Sequence, residues 1–399
     1  MEGFLFFQKR EGKLIMLTDY QLLRIPGPTP IPPSVERAMT KPMIGHRGNE
    51  TSQMIRNIKP RLKKVFGTEQ DVMMITGSGT SGLEAAIINV VHPGDKVLVV
   101  ATGVFGNRFT KICEAYDINV EEFHVEWGTA LDPQAVKAHV QANPDIKAVF
   151  STYCETSTGV INPVGELAKT VHEVSEALVI IDGVSCMGGV ETKMDEWGLD
   201  VVVTGSQKAL MLPAGLNFIA ASERAWKVIE ANPQKGFYLN LTKYRDNIAK
   251  DTTPFTPALS LLFGLEQVLE NLETEGLENV YARHQLMRDM TRAAFKALDL
   301  PLFTSDQDGS PTVTSVKPTD FDAEAFRKEI KGSFNLSVAG GQAEMKGKIF
   351  RVGHMGYCAP TDVLQYLAAM EIALVKVGKK IQLGAGVAAA QQVYLEGAK

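Results

Sequence analysis

The chain has 399 residues, 45% hydrophobic and 22% charged, with a formal net charge of -5. That length holds two domains and a large core, and the mildly acidic balance argues against a surface built for nucleic acid. No apolar run approaches the roughly 20 residues of a membrane-crossing helix, so no membrane partner is expected.

The chain opens with MEGFLFFQKREGKLIM, whose only apolar run is Phe4 to Phe7, followed by charges. A signal peptide needs a longer apolar core with its charges in front, so residues 1–16 read as an N-terminal extension. Next, RIPGPTPIPPSV (24–35) is rich in proline and glycine and is expected to be extended, within a segment covering 17–40. A large domain is expected over 41–260, and within it, from about 70 to 220, short apolar runs alternate with amphipathic stretches. Strands are expected at 72–76, 96–101, 118–125, 146–152, 177–182, 200–205 and 216–221. Helices are expected between most of them, at 81–91, 105–116, 132–142 and 164–176. The runs are almost continuously apolar, as strands covered on both faces must be. The pattern therefore predicts an α/β fold with a mostly parallel seven-stranded sheet between helices. Long helical patterns at 257–273 and 277–298 come next. Short strands near 312–317 and 348–353 with a helix between them follow, then a helix at 361–378. These indicate a smaller C-terminal α+β domain over 261–399.

In open α/β sheets ligands gather at the carboxyl ends of the strands, and three such ends carry polar chemistry here. The first strand runs into GSGTSG (77–82), where glycines let the backbone approach a ligand and a helix N-terminus offers free N–H groups. The fifth ends in Asp182, a carboxylate that needs a cation or strong donors if buried. The sixth leads through Gln207 to Lys208, followed at once by small and apolar residues, and a buried lysine needs a partner or a task. Each feature alone has an ordinary reading: a capping turn, an N-cap aspartate, a lysine reaching out to water. Together they match the phosphate, the pyridine nitrogen and the aldehyde of pyridoxal 5′-phosphate (PLP). The lysine would condense with the aldehyde, and the aspartate would keep the ring nitrogen protonated.

These residues, with PGPTPIPP (26–33), GHRG (45–48), TGSGTSGLEAAIIN (76–89), GVFGNR (103–108), ETSTGVINP (155–163), IIDGVSCMGG (180–189), TGSQKAL (204–210), DTTPFTPAL (251–259) and FRVGHMG (350–356), carry a resemblance. Over about residues 22–378 the chain resembles the class V aminotransferases of PLP fold type I, near the alanine/serine–glyoxylate (serine–pyruvate) group. The resemblance implies transamination of serine or alanine with glyoxylate or pyruvate, by a homodimer that shares active sites across its interface; the few, scattered cysteines suit a cytoplasmic setting. It makes Lys208 the lysine that binds the cofactor and shuttles the proton. Asp182 becomes the partner of the ring nitrogen, with Val184 under the ring and Phe105 stacked on the other face. Ser78, Gly79, Thr80 and Gln207 form the phosphate cradle, and Thr156 lies near the ring oxygen. Thr253 contacts the phosphate of the neighbouring subunit. Arg351 clamps the substrate carboxylate by its planar fork, and Gly27 lies in the segment lining the substrate pocket. The resemblance leaves His46 as a structural or pocket-lining residue.

One position departs from the pattern. Relatives often carry an aromatic residue three places before Thr253, where this chain has Lys250, a cation that could meet the phosphate or an acidic substrate. Rival readings make distinct demands. An aspartate or 2-aminoethylphosphonate transaminase needs a basic residue for the distal charge. A cysteine desulfurase should have histidines where this chain has Gln207 and Phe105, and a mobile-loop cysteine, a part for which Cys358 is poorly placed. A dinucleotide-binding dehydrogenase should end its next strand in an acidic residue, but strand 96–101 runs into ATG. A non-catalytic PLP-binding regulator needs a DNA-binding domain or a basic face. The four cysteines form no C-x-x-C pair and the seven histidines show no paired spacing, so no metal is expected.

Overall fold

The computed structural model describes residues 9–10, 13–14, 20–233 and 236–397. Of the extension expected at 1–16, all but residues 9–10 and 13–14 lies outside the described residues. The centre of the fold is a seven-stranded sheet: β1 (Met73–Gly77), β2 (Lys96–Ala101), β3 (Asn119–His124), β4 (Ile146–Thr152), β5 (Leu178–Asp182), β6 (Val201–Gly205) and β7 (Gly215–Ala221). Across the sheet the order is β3-β2-β4-β5-β6-β7-β1. Only β7 runs against the others, pairing antiparallel with both β6 and β1. Successive residues of a strand face opposite sides. Leu98, Val179 and Val202 accordingly enter one apolar cluster, while their neighbours Val99, Ile180 and Val201 enter the other. Both faces are covered, which is why the strands read as unbroken apolar runs.

Among the described residues, fourteen α-helices surround and extend this sheet. The first nine are α1 (Pro33–Met39), α2 (Asn49–Phe66), α3 (Gly79–Val90), α4 (Gly106–Ala115), α5 (Pro133–Ala142), α6 (Val164–His172), α7 (Met194–Trp197), α8 (Glu223–Ala231) and α9 (Leu241–Ile248). The rest are α10 (Leu259–Glu275), α11 (Leu277–Ala297), α12 (Ala323–Phe334), α13 (Pro360–Lys376) and α14 (Ala385–Gly397). The stretch expected to be extended through residue 35 turns helical at Pro33, because proline fits the first helical position, where its missing N–H costs nothing. Helix α2 contains Pro60 and still buries Ile55, Ile58, Leu62 and Val65 on one face.

A second, smaller unit is built on a three-stranded sheet, in which β8 (Val313–Val316) and β9 (Ala339–Gly340) flank β10 (Phe350–Gly353). Helices α11 to α14 supply its core, from Met287 to Ala390. The expected boundary at 260 does not follow the packing. Leu262, Leu265, Val268 and Leu272 of α10 belong to the large sheet's cluster, and the change of core falls within α11, between Val280 and Met287.

The topology fixes where chemistry collects. Because β1, β5 and β6 run the same way, Ser78, Asp182 and Lys208 emerge at one edge of the sheet, beside the N-terminus of α3.

Candidate active site

At that edge lies a cavity of about 300 Å³. Of the residues expected to form the site, Gly27, Ser78, Gly79, Thr80, Phe105, Asp182, Val184, Gln207 and Lys208 line it. Thr156, Thr253 and Arg351 do not line it.

Lys208 stands just beyond β6. Its ammonium donates to the Pro26 carbonyl, and Thr29 Oγ1 donates to the Lys208 carbonyl at 2.8 Å, so the proline-rich segment closes over the lysine. Burial pushes its pKa down to about 8, aided by the charges of Arg351 and Arg108 and opposed by Cys154 and Asp182. Roughly a tenth of the amine is therefore neutral, and nucleophilic, at pH 7, far more than for an ordinary lysine. Gly27 is essential to this closure. It has φ +102°, and a Cβ there would overlap Lys208 Cδ and lie 2.9 Å from Cε.

Asp182 ends β5, buried, and its Oδ1 accepts the Val184 N–H at 2.8 Å. Burial raises its carboxyl to about 6, against the pull of that bond, while the neighbouring Glu155 charge pushes it further up. Such a carboxylate holds its charge more easily once a cation faces it. The first-turn N–H groups of α3 at Gly79 and Thr80 precede any intrahelical bonding, and Ser78 makes no side-chain cap. Gln207 Oε1 is buried and, among the described residues, has no hydrogen-bond partner.

The remaining expected residues stand around this cavity. Thr156 is buried, with its hydroxyl donating to Ser185 Oγ, and Ser185 lines the cavity. Arg351, on β10, is buried, and burial lowers its pKa to about 10. Its Nε and Nη2 donate to the Gly340 carbonyl at 2.9 and 2.7 Å, and its Nη1 to the Thr156 carbonyl at 2.8 Å. Those three bonds leave one N–H on each terminal nitrogen, which is the pair a carboxylate would accept. Thr253 donates to the Phe255 carbonyl at 2.7 Å. Arg47 donates to Thr252 Oγ1 at 2.9 Å and to the Thr253 carbonyl, joining the GHRG and DTTP stretches. His46 is half-buried and Lys250 exposed, and neither lines the cavity.

Two residues escaped the sequence reading. Arg108 lines the cavity. Its guanidinium carbon lies 4.7 Å from the Phe105 ring centroid, and Nη1 donates to Thr80 Oγ1 at 3.2 Å. Its place in GVFGNR, three residues after the aromatic, was the available signal, since that spacing shares a helix face. Glu155 is fully buried among backbone donors. Nothing in ETSTG marks its first residue as buried.

The comparisons with known proteins agree with this geometry. Residues 26–355 match the family model "Aminotransferase class-V". The chain is 42% identical to the "Soluble hydrogenase 42 kDa subunit" of Anabaena cylindrica, over 95% of this chain and all of that one. It is 36% identical to a serine–glyoxylate aminotransferase of Methylorubrum extorquens, over 94% of this chain and 96% of the relative. It is 33% identical to an L-aspartate–glyoxylate aminotransferase of Paracoccus denitrificans, over 95% and 97%. The crystal structure of the ureidoglycine–glyoxylate aminotransferase of Bacillus subtilis superposes with a TM-score of 0.89 at 32% identity, covering 97% of this chain and all of the other. A doubly covered, mostly parallel sheet with a lysine and an aspartate at one edge is thus that of PLP fold type I. The chain belongs to the class V aminotransferases and is a PLP-dependent transferase.

Proposed function

We propose that the protein moves the amino group of a small L-amino acid, serine or alanine, to glyoxylate or pyruvate, with pyridoxal 5′-phosphate held in the cavity described above. The observation that carries this is the meeting of Lys208, Asp182 and the α3 N-terminus around one 300 Å³ cavity. The cofactor fits the residues present. Among the described residues the buried Gln207 side-chain oxygen has no hydrogen-bond partner, so turning the amide to point its NH2 group at a phosphate breaks no bond; the first-turn N–H groups of α3 suit a phosphate, and the Asp182 carboxylate suits a pyridinium N–H. When bound, PLP acts as the electron sink for the carbanion formed at the amino acid Cα.

The chain's residues then divide the work. Lys208 Nζ would hold the cofactor until a substrate amine arrives, and the freed amine would then take the Cα proton and give it back later in the transfer. Its lowered pKa suits both duties. Asp182 keeps its charge against the ring nitrogen. Phe105 and Val184, which both line the cavity, would hold the ring from its two faces. Arg351 takes the substrate carboxylate on its two remaining N–H groups. A lysine there offers no planar fork, so R351K should raise KM for the amino acid about 100-fold with a smaller change in kcat, a loss of one good charge-assisted hydrogen bond; steady-state kinetics over a range of amino acid concentrations read both constants.

The site is shared in a homodimer. Supporting this, Thr253, the family's phosphate contact from the neighbouring subunit, sits in a turn bound by Arg47 away from this chain's own cavity. A cytoplasmic setting suits four free cysteines. Desulfurase chemistry has little support, because burial pushes the Cys358 thiol up to about 11 and a desulfurase needs a reactive thiolate.

A second reading rests on Arg108. It lines the cavity, and no carboxylate pairs with it among the described residues; it could read the distal charge of aspartate or a phosphonate. Single half-reactions separate the two. The PLP-loaded protein is mixed in turn with L-serine, L-alanine, L-aspartate and 2-aminoethylphosphonate, and the loss of the lysine-bound cofactor absorbance is followed. Fast conversion by serine or alanine alone is expected. Conversion mainly by aspartate or the phosphonate would replace the proposal with the second reading.

A further inference from the structure

Glu155 is fully buried, and no lysine or arginine forms an ion pair with it among the described residues. A lone buried carboxylate is costly unless strong donors surround it. The donors here all belong to two short segments. Oε2 accepts the N–H of Phe105 and the N–H of Gly106, each at 3.0 Å. Oε1 accepts the Ser157 N–H at 3.0 Å and its hydroxyl at 2.5 Å, with a longer bond of 3.3 Å from Phe105 N–H. Ser157 Oγ in turn accepts the Val104 N–H at 3.0 Å. Segment 103–106 is thus wrapped on the Glu155 side chain. The approach is so close that a Cβ on Gly103 would lie 2.6 Å from Glu155 Cγ. Helix α4 starts at Gly106 with no cap from its own Phe105, and the Glu155 carboxylate fills that place from across the fold, at the positive end of the helix.

The consequence concerns the ring that faces the cavity. Phe105 lines the site with a half-buried side chain, and the segment bearing it is held from behind through its own N–H. Arg108 lies over the ring at 4.7 Å but donates to Thr80, which leaves Glu155 as the anchor of the Phe105 backbone.

We propose that Glu155 is a positioning residue for the cofactor: it fixes the Phe105 ring over the PLP site by anchoring the backbone of residues 104–106. This rests on the PLP reading above. Glutamine at 155 keeps the shape but turns an NH2 group toward N–H donors, leaving at least one of them unpaired.

The test starts from apo-protein titrated with PLP, followed by absorbance and by visible circular dichroism of the bound cofactor. Wild type that fails to bind PLP would overturn the cofactor reading itself. With wild type binding, E155Q is expected to raise the PLP dissociation constant about 10- to 100-fold, the usual cost of losing the support behind a ligand group, and to weaken the circular dichroism band. F105L removes the ring and keeps its backbone. In the F105L background the E155Q change is expected to add less than about threefold, since residues acting through one another are not additive. S157A, which leaves the carboxylate and its backbone donors in place, should shift the same constant in the same direction by a smaller factor, and it serves if E155Q does not fold. Wild-type affinity in E155Q, or in S157A where E155Q is not obtained, would overturn the proposal. Full additivity with F105L would do the same, by showing that the buried carboxylate supports the fold without acting through the ring.

Discussion

Replacing Lys208 with alanine should abolish transamination, to at least about 10⁴-fold below wild type, the upper range for one acid–base group, because the same residue is also the covalent tether. The variant should still take up PLP. The cradle at Ser78, Gly79, Thr80 and Gln207 and the Asp182 carboxylate are untouched by the change, and Lys208 contributes its ammonium to the Pro26 carbonyl rather than to any of them. What disappears is the absorbance of lysine-bound cofactor, leaving free PLP that dialysis removes. A pH dependence follows from the lowered pKa of about 8. Below that value the amine is protonated and cannot attack the aldehyde, so the rate at which wild-type apo-protein loads PLP should rise with pH and level off above about 8. An ordinary lysine would keep climbing toward its usual 10.4. An unchanged cofactor spectrum in K208A would remove Lys208 from its assigned role.

The sheet was legible because its strands sit between two apolar layers. Runs such as KVLVVA and DVVVTG carry no polar face, so their positions fall within two residues of the expected ones. Lys208 and Asp182 were legible for the complementary reason, as ionisable groups at the ends of such runs. Helix α2 was harder to see. Pro60 interrupts the sequence pattern and removes a helical hydrogen bond, while Ile58 and Leu62 on either side of it stay buried. A boundary at 260 cuts across the packing because a helix carries no mark of which core it joins: α10 and the start of α11 through Val280 join the large sheet's cluster, and α11 from Met287 joins the other. Arg108 had a local signal only for its place over the Phe105 ring three residues before it; its bond to Thr80 spans 28 residues and the Glu155 bond to the Phe105 N–H spans 50. No local spacing encodes contacts of that range. Arg351 shows the middle case: the family resemblance made it a carboxylate clamp, but only the fold shows that three of its five N–H groups are already bound to carbonyls.

Asp182→Asn should lower kcat by about 10²- to 10³-fold while leaving the protein folded and able to bind PLP. The reasoning begins with size and charge. Asparagine has nearly the shape of aspartate, and its carbonyl oxygen can still accept the Val184 N–H now bound by Oδ1 at 2.8 Å. What it lacks is a negative charge. An opposite charge at contact distance shifts a pKa by about 1–3 units, and each unit is a factor of ten in the charged fraction. Without the carboxylate the ring nitrogen loses its proton at neutral pH and the electron sink weakens. The pH profile gives a second check with a definite sign. With only the Val184 N–H on it, the buried Asp182 carboxyl is held near 6, and a facing pyridinium brings it lower. Wild-type kcat should therefore fall on the acid side, as protonation of Asp182 ends its hold on the ring, and the fall should centre below about pH 6. D182N has no such group, so its acid limb from this source should be absent. A D182N variant with wild-type kcat and the same acid limb would show that Asp182 serves the turn at 182–184 and not the ring, and the nitrogen's partner would have to be sought elsewhere along the cavity wall.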